Sequence, residues 1–496
     1  MVALSCAEMG PSMLLELDMA FCFSKCFSLC LLGWLFCWNL CSANAAAQEV
    51  KGPIVDTYRP IAKQIIEAAH QQNDSMRKLE ELCDGIGHRL SGSESLTKAI
   101  DWAQATMKAD GQENVRAEKV MVPKWVRGNE SCQLLEPRSE PISMLGLGGS
   151  VGTPPEGITA EVLVVRSKEE LDAIPAEKVE GKIVVFNAAM PKYTAENGSG
   201  YGTAVQYRGS GAKWASEKGA VAALVRSITA TSLSTPHTGS MRYGDAKKQI
   251  PVAAITIEAA AMLQRLQDRG IQPKVKLQME ARNEGEAPSA NVLAEIVGRE
   301  KPEEIVVIGG HIDSWDVGQG AHDDGAGCVA AMEALNILRK LGLKPRRTIR
   351  VVLWTNEENG LAGAKDYAAR HQREPHVAGI EADSGGFAPE GFTVEMNDAK
   401  KADIALEQLQ QIASLLEPIR ATKAMLGGSG ADVGQLKTLG TACLGLEIDG
   451  RTYFDFHHTW ADTVDKVNPR ELTDCSISLA VAAYILADMP QRMGER

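Results

Sequence analysis

The chain has 496 residues, 44% hydrophobic and 23% charged, the composition of a soluble globular protein long enough for two or three domains. A formal net charge of −12 argues against nucleic acid and against anionic membrane surfaces as partners. Six of the eleven cysteines fall in the first 45 residues. The other five (Cys83, Cys132, Cys328, Cys443 and Cys475) form no C-x-x-C pair, which excludes a disulfide framework and a zinc–thiolate site.

Residues 1–45 differ from the rest. Lys25, an apolar run over 27–40 and Ala43-Asn44-Ala45 make the pattern of a secretory signal, and the run is short for a membrane span. The expectation is an exported protein, periplasmic or extracellular, with no stable span after signal removal. Residues 1–18 are acidic for such a leader, so Met19 is an alternative start.

Residues 46–130 open the main domain. Helical spacing of Ile61, Ile65, Ile66 and Ala69 predicts a helix over 55–83, and a second helix is expected over 96–107. His88-Arg89-Leu90-Ser91-Gly92-Ser93 reads as a turn, and 115–126 as a strand. From 131 to 285 short apolar runs (162–165, 183–186, 222–225, 251–257) alternate with glycine-rich loops, and helices are expected at 211–223 and 258–268. This predicts an inserted, β-rich domain whose single histidine is His237. Gly146-Leu147-Gly148-Gly149 and Gly198-Ser199-Gly200 lack the Lys-Ser/Thr of a phosphate loop and read as plain loops.

Over 286–496 strands and helices alternate. Strands are expected at 291–297, 305–308, 348–354 and 378–382, and helices at 328–341, 361–371, 402–416 and 473–488. The pattern predicts an α/β fold, with a mainly parallel, mixed central sheet flanked by helices.

The polar residues of this half collect where strands end. The 305–308 run leads through Gly309-Gly310 to His311 and Asp313, and then to His322, Asp323 and Asp324. The 348–354 run ends in Thr355-Asn356-Glu357-Glu358-Asn359-Gly360, and the 378–382 run in Asp383-Ser384-Gly385-Gly386. The last group is His457-His458-Thr459-Trp460-Ala461-Asp462-Thr463. Singly, each has an ordinary explanation: a satisfied core histidine, acids starting a helix, an N-capping aspartate, a surface histidine pair. Together they converge on one sheet edge, where so many clustered charges are costly unless a cation neutralises them. Nitrogen and carboxylate ligands without thiolate suit zinc, two zincs need one shared carboxylate, and Glu357-Glu358 offers both a ligand and a general base.

The segments GGHIDSWDVGQGAHDDGAG, NEENGLAGA, EADSGG and YFDFHHTWADTVDKV resemble the M28 family of co-catalytic zinc exopeptidases, within it the carboxypeptidase Q type. The likeness runs over most of the chain, and 131–285 is similar to the family's protease-associated insert. The resemblance implies two Zn2+ per chain. His311 and Asp383 would hold one, Glu358 and His458 the other, with Asp323 bridging. It also implies Glu357 as general base, Asp313 orienting His311, and a cis peptide at Asp323–Asp324. His458 fits the H-x-x-x-D-T pattern, which leaves His457 to face substrate. His322 is left out of the site. The 427–432 loop, with Ser429 and Asp432, is expected to line the substrate pocket. His88-Arg89 is read as structural ahead of a contact to a substrate terminus.

The function so implied is hydrolysis of dipeptides or short peptides with free termini. The alternatives are an aminopeptidase on longer peptides, glutaminyl cyclisation, which the insert argues against, and a non-catalytic receptor, which a complete ligand set argues against. The resemblance also implies a homodimer.

Overall fold

A computed structural model describes residues 50–496; the leader predicted over 1–45 lies outside the described residues. Two eight-stranded sheets organise the chain.

The first sheet runs in the order Glu113–Val126, Arg282–Ile296, Arg347–Trp354, Lys301–His311, His376–Glu381, Ala442–Ile448, Pro389–Glu395, Lys423–Leu426. Four neighbouring strands at its centre, Arg347–Trp354 to Ala442–Ile448, are parallel, and antiparallel pairs flank them. The predicted mixed, mainly parallel core is therefore present. Its strands are buried on both faces because their apolar residues divide between two clusters. Val306 and Ile308 pack with the helices Pro53–Gln71, Ala326–Lys340 and Pro469–Asp488, whereas Ile305 and Val307 pack with Val352, Trp354 and Tyr367.

Helix Ala326–Lys340 is buried almost all round, which its alanines permit. It carries Glu333, whose carboxylate meets the Lys78 ammonium at 2.6 Å with both side chains 0% exposed; Asp110 completes the group at 2.7 Å.

The chain passes from Lys301–His311 to a neighbour on one side (Arg347–Trp354) and then to the other side (His376–Glu381). This reversal is the switch point at which open α/β sheets build sites. Register aligns the strand ends there: His311 pairs with Trp354, Gly309 with Glu381, and Glu381 with Gly445.

The second sheet is built from residues 130–279, in the order Glu140–Ile142, Glu130–Glu136, Lys274–Met279, Ile158–Val165, Ile183–Phe186, Ala222–Arg226, Val252–Ile255, Met144–Gly146. It has apolar clusters of its own, one of which also takes in Trp125, Trp315 and Val317 from flanking segments. Gly148 is where a side chain could not be carried, since a Cβ there would lie 2.0 Å from the Trp315 ring. The first glycine-rich loop is thus a seat for an indole.

Several expectations shift. The helix expected over 55–83 is two, Pro53–Gln71 and Ser75–Gly85, broken at Gln72-Asn73-Asp74. The helix expected at 211–223 is Tyr201–Glu217. Strand Arg282–Ile296 begins nine residues earlier than its apolar signal, because residues 282–287 are held by pairing to Glu113–Val126 rather than by burial. No described helix is long and apolar enough to cross a membrane.

Candidate metal centre

His311 closes its strand, and the turn that follows is built around it. A Cβ on Gly310 would lie 2.0 Å from Oδ2 of Asp324, so the glycine lets that carboxylate reach the backbone N–H of His311, at 3.0 Å. Asp324 also accepts the Gly327 N–H at 3.1 Å, and the Asp323–Asp324 peptide is cis. Asp462 accepts the N–H groups of His322 and Asp323 at 2.7 and 3.2 Å, which fixes the Asp323 backbone. Arg89 is fully buried and donates to the carbonyls of Ile312, Gln319 and Gly320, a structural role for the His88-Arg89 turn.

The predicted ligands gather around Asp323. Nε2 of His311 lies 3.3 Å from Oδ1 of Asp323 and 3.3 Å from Oδ1 of Asp383. Nε2 of His458 lies 3.1 Å from Oδ2 of Asp323 and 3.0 Å from Oε2 of Glu358. Asp323 therefore turns one oxygen to each imidazole–carboxylate pair. His457 stacks on His458 with ring centroids 3.5 Å apart, and its Nε2 is 3.7 Å from the same Oδ2. Two triads have donor atoms within 4.8 Å of one another, His311/Asp323/Asp383 and Asp323/His457/His458.

The electrostatics are those of charge crowded out of water. Burial drives the Glu358 carboxyl up to about 7, and neighbouring Asp323 adds to it. Burial pushes His458 down, but Glu358 and Asp323 outweigh it and raise the imidazole to about 9. Burial also raises Glu357 well above the carboxylate range, as does the nearby Asp383 charge. Oδ2 of Asp323 and Oε1 of Glu358 are buried without a hydrogen-bond partner among the described residues. Buried acceptors left so are costly, and divalent cations between the two pairs would satisfy them. The residues present fit such cations.

Asp313 touches both the His311 ring and the Glu357 turn. The His311 ring meets its main-chain carbonyl, Nδ1 to O at 2.9 Å, while the carboxylate accepts the Glu357 N–H at 3.1 Å and the Ser91 hydroxyl at 3.2 Å. It holds the Glu357-Glu358 turn. His322 stands apart, stacked on Phe387 at 4.1 Å with its Nδ1 accepting the Gly386 N–H.

A cavity of about 660 Å³ opens over the cluster, lined by Asp323, Glu357, Glu358, Asp383, His457 and His458 among others. The 427–432 loop does not supply Ser429 or Asp432 to its wall. Ser429 bonds to Glu395, and the loop is drawn inward because Glu381 accepts the N–H groups of Ala431, Asp432 and Val433. Asp432 is buried beside it with both oxygens unpartnered among the described residues.

Another wall comes from the second sheet's segment, the inserted domain expected to cover or shape the site, through residues that were not among the expected site residues. Tyr201, Arg208, Ser240 and Arg242 line it, as do Gly198 and Ser199 of the second glycine-rich loop. Arg208 is 6% exposed; it donates to the Tyr201 hydroxyl at 2.6 Å, sits 3.4 Å from Nδ1 of His458, and its Nε has no partner among the described residues. Its guanidinium also lies over the Tyr201 ring, 5.5 Å from the centroid.

Residues 291–483 match peptidase family M28. The chain is 42% identical over 451 residues to carboxypeptidase Q of Bos taurus, covering 90% of this chain and 92% of that one. The fold is similar to the crystal structure of a peptidase M28 precursor from Shewanella amazonensis SB2B, with a TM-score of 0.83 and 34% identity over 88% of this chain and 98% of that one. A zinc aminopeptidase from Bacillus subtilis shares the fold at a TM-score of 0.61 and 18% identity, over 85% of this chain and 96% of that one. With its strand-end cluster and these likenesses, the chain belongs to peptidase family M28, a family of metallopeptidases.

Proposed function

We propose that the protein is an exported di-zinc metalloexopeptidase that hydrolyses dipeptides and short peptides with free termini. The observation that carries this reading is Asp323, whose two oxygens face two separate imidazole–carboxylate pairs. One cation needs no such bridge; two cations roughly 3.5–4 Å apart do. His311 and Asp383 would hold one zinc, His458 and Glu358 the other.

Zinc at these ligands supplies Lewis acidity toward the scissile carbonyl and acidifies the attacking water. Glu357 lines the cavity beside the pairs, where it can take a proton from that water and return it to the leaving amine. Asp313 accepts the Glu357 N–H and so fixes the backbone that carries this carboxylate. Burial keeps the His457 imidazole neutral, and the residue lines the cavity, where its ring can meet the substrate carbonyl oxygen.

The preference for a free C-terminus rests on Arg208. A buried guanidinium whose partners among the described residues are a phenol, a carbonyl and an imidazole has no carboxylate among them, and a peptide α-carboxylate in the cavity would supply one. The segment around residues 131–285 then serves as a protease-associated domain that closes the cavity. Export with loss of the first 45 residues, and a homodimer, belong to the same proposal on the strength of the family likeness. Free dipeptides should be cleaved far more efficiently than the same dipeptides amidated at the C-terminus. Equal turnover of both would contradict the reading, and cleavage confined to long peptides with free N-termini would favour an aminopeptidase.

A further inference from the structure

His458 adopts a left-handed backbone, φ 63°. A non-glycine residue stays in that region only where its surroundings over-determine it. The surroundings here come from the turn His237-Thr238, some 220 residues earlier in the chain. Nδ1 of His237 donates to the carbonyl of His457 at 2.8 Å. The Thr238 N–H donates to the carbonyl of His458 at 3.0 Å, and the Thr238 carbonyl lies 3.3 Å from Nδ1 of the His458 ring. Both carbonyls of the histidine pair and the ring nitrogen that faces away from Asp323 are thus met by one turn.

That turn is itself tied down. The His237 N–H donates to the Ser227 hydroxyl at 2.9 Å, and the Thr238 hydroxyl donates to the Gly146 carbonyl at 2.7 Å. Arg127 reaches the Thr238 hydroxyl at 3.3 Å while holding Asp316, in the loop that follows His311, at 2.9 Å. The His237 side chain is 2% exposed and neutral, since burial lowers its pKa to about 3; the Nδ1–H tautomer is the one its carbonyl partner requires.

We infer that His237 is a positioning residue of the second zinc subsite: by fixing the His457-His458 backbone it sets the direction of the His458 ring and so the affinity of that subsite. The inference rests on the di-zinc reading and extends it to a residue outside the cluster. A partner that orients a ligating histidine is worth about 10- to 100-fold in metal affinity. Asparagine carries an N–H on the atom beyond Cγ, where histidine carries Nδ1, and can keep the bond; leucine cannot.

The test is a zinc titration of the metal-stripped full chain against a chromophoric chelator, for wild type, His237→Leu and His237→Asn. We expect two equivalents in the wild type, one of them weakened about tenfold or more in His237→Leu and recovered in His237→Asn, with the other unchanged. Two unweakened equivalents in His237→Leu would overturn this inference alone, and a wild type that binds fewer than two would overturn the di-zinc reading beneath it. Should the leucine variant not fold, amide exchange in the wild type decides. Zinc should slow exchange of the Thr238 N–H, because a ligand and the turn that orients it stabilise each other; exchange indifferent to zinc would overturn the inference.

Discussion

The Asp313 carboxylate accepts the backbone N–H of Glu357 at 3.1 Å, so the loop after one parallel strand holds the turn after its neighbour. Glu357 is thereby fixed at the cavity edge while the adjoining Glu358 points to His458. The two adjacent carboxylates thus face different surroundings from one backbone that Asp313 holds. Glu357→Gln should leave zinc content unchanged and lower kcat by about 10²- to 10⁴-fold. Steady-state kinetics beside metal analysis checks this, and turnover within a few-fold of wild type would remove Glu357 as the base.

Arg208 should discriminate by substrate terminus. Arg208→Gln should raise KM for free dipeptides about 10- to 100-fold, the worth of a lost charge-assisted hydrogen bond, and leave hydrolysis of C-terminal amides unaffected. Parallel kinetics on acid and amide pairs measures it. A uniform loss on both substrates would instead mark Arg208 as a support for His458, which it also approaches, at 3.4 Å.

How much of this was legible in the sequence follows from where the signal resides. His311, Glu358 and Asp383 each closely follow an apolar run, so strand and candidate ligand are read together, and the sheet register brings the runs to one edge. Arg208, His237 and Thr238 give no such signal. Each is isolated in a glycine-rich stretch, and what it touches lies 220 to 250 residues away. Ser429 and Asp432 misled for the converse reason. A glycine-rich loop reads as open, but two of its N–H groups, with that of Val433 after them, fold inward onto Glu381. The first nine residues of strand Arg282–Ile296 were hidden because the exposed polar residues with which they begin, held by strand pairing, look like a loop.

The buried Lys78–Glu333 pair is expected to carry a large share of the stability of the helical face. Lys78→Met leaves the Glu333 carboxylate buried without its cation and should cost about 3–5 kcal/mol. The double variant Lys78→Met/Glu333→Leu should recover much of that loss. Chemical denaturation of the single and double variants measures both; a single variant as stable as wild type would contradict the burial of the pair.

Acid should destabilise the fold through Glu304. Burial raises its pKa, but hydrogen bonds to Arg492 and Arg347 outweigh burial and bring the carboxyl down from an ordinary 4.5 to about 2. A group depressed on folding contributes stability above its unfolded pKa and loses it as pH falls toward the folded one. Its contribution should thus be complete above pH 4.5 and disappear progressively toward pH 2. Glu304→Gln should lower the urea midpoint at neutral pH and flatten its decline in that window. An unaltered acid limb would show that the ion pairs with Arg347 and Arg492 do not form.

Anomalous scattering from crystals of the zinc-loaded protein, recorded at the zinc edge, tests the central claim most directly. Two peaks roughly 3.5–4 Å apart are expected, one beside His311 and Asp383, the other beside His458 and Glu358, with one oxygen of Asp323 toward each. A single peak, or two that do not share Asp323, would contradict the account.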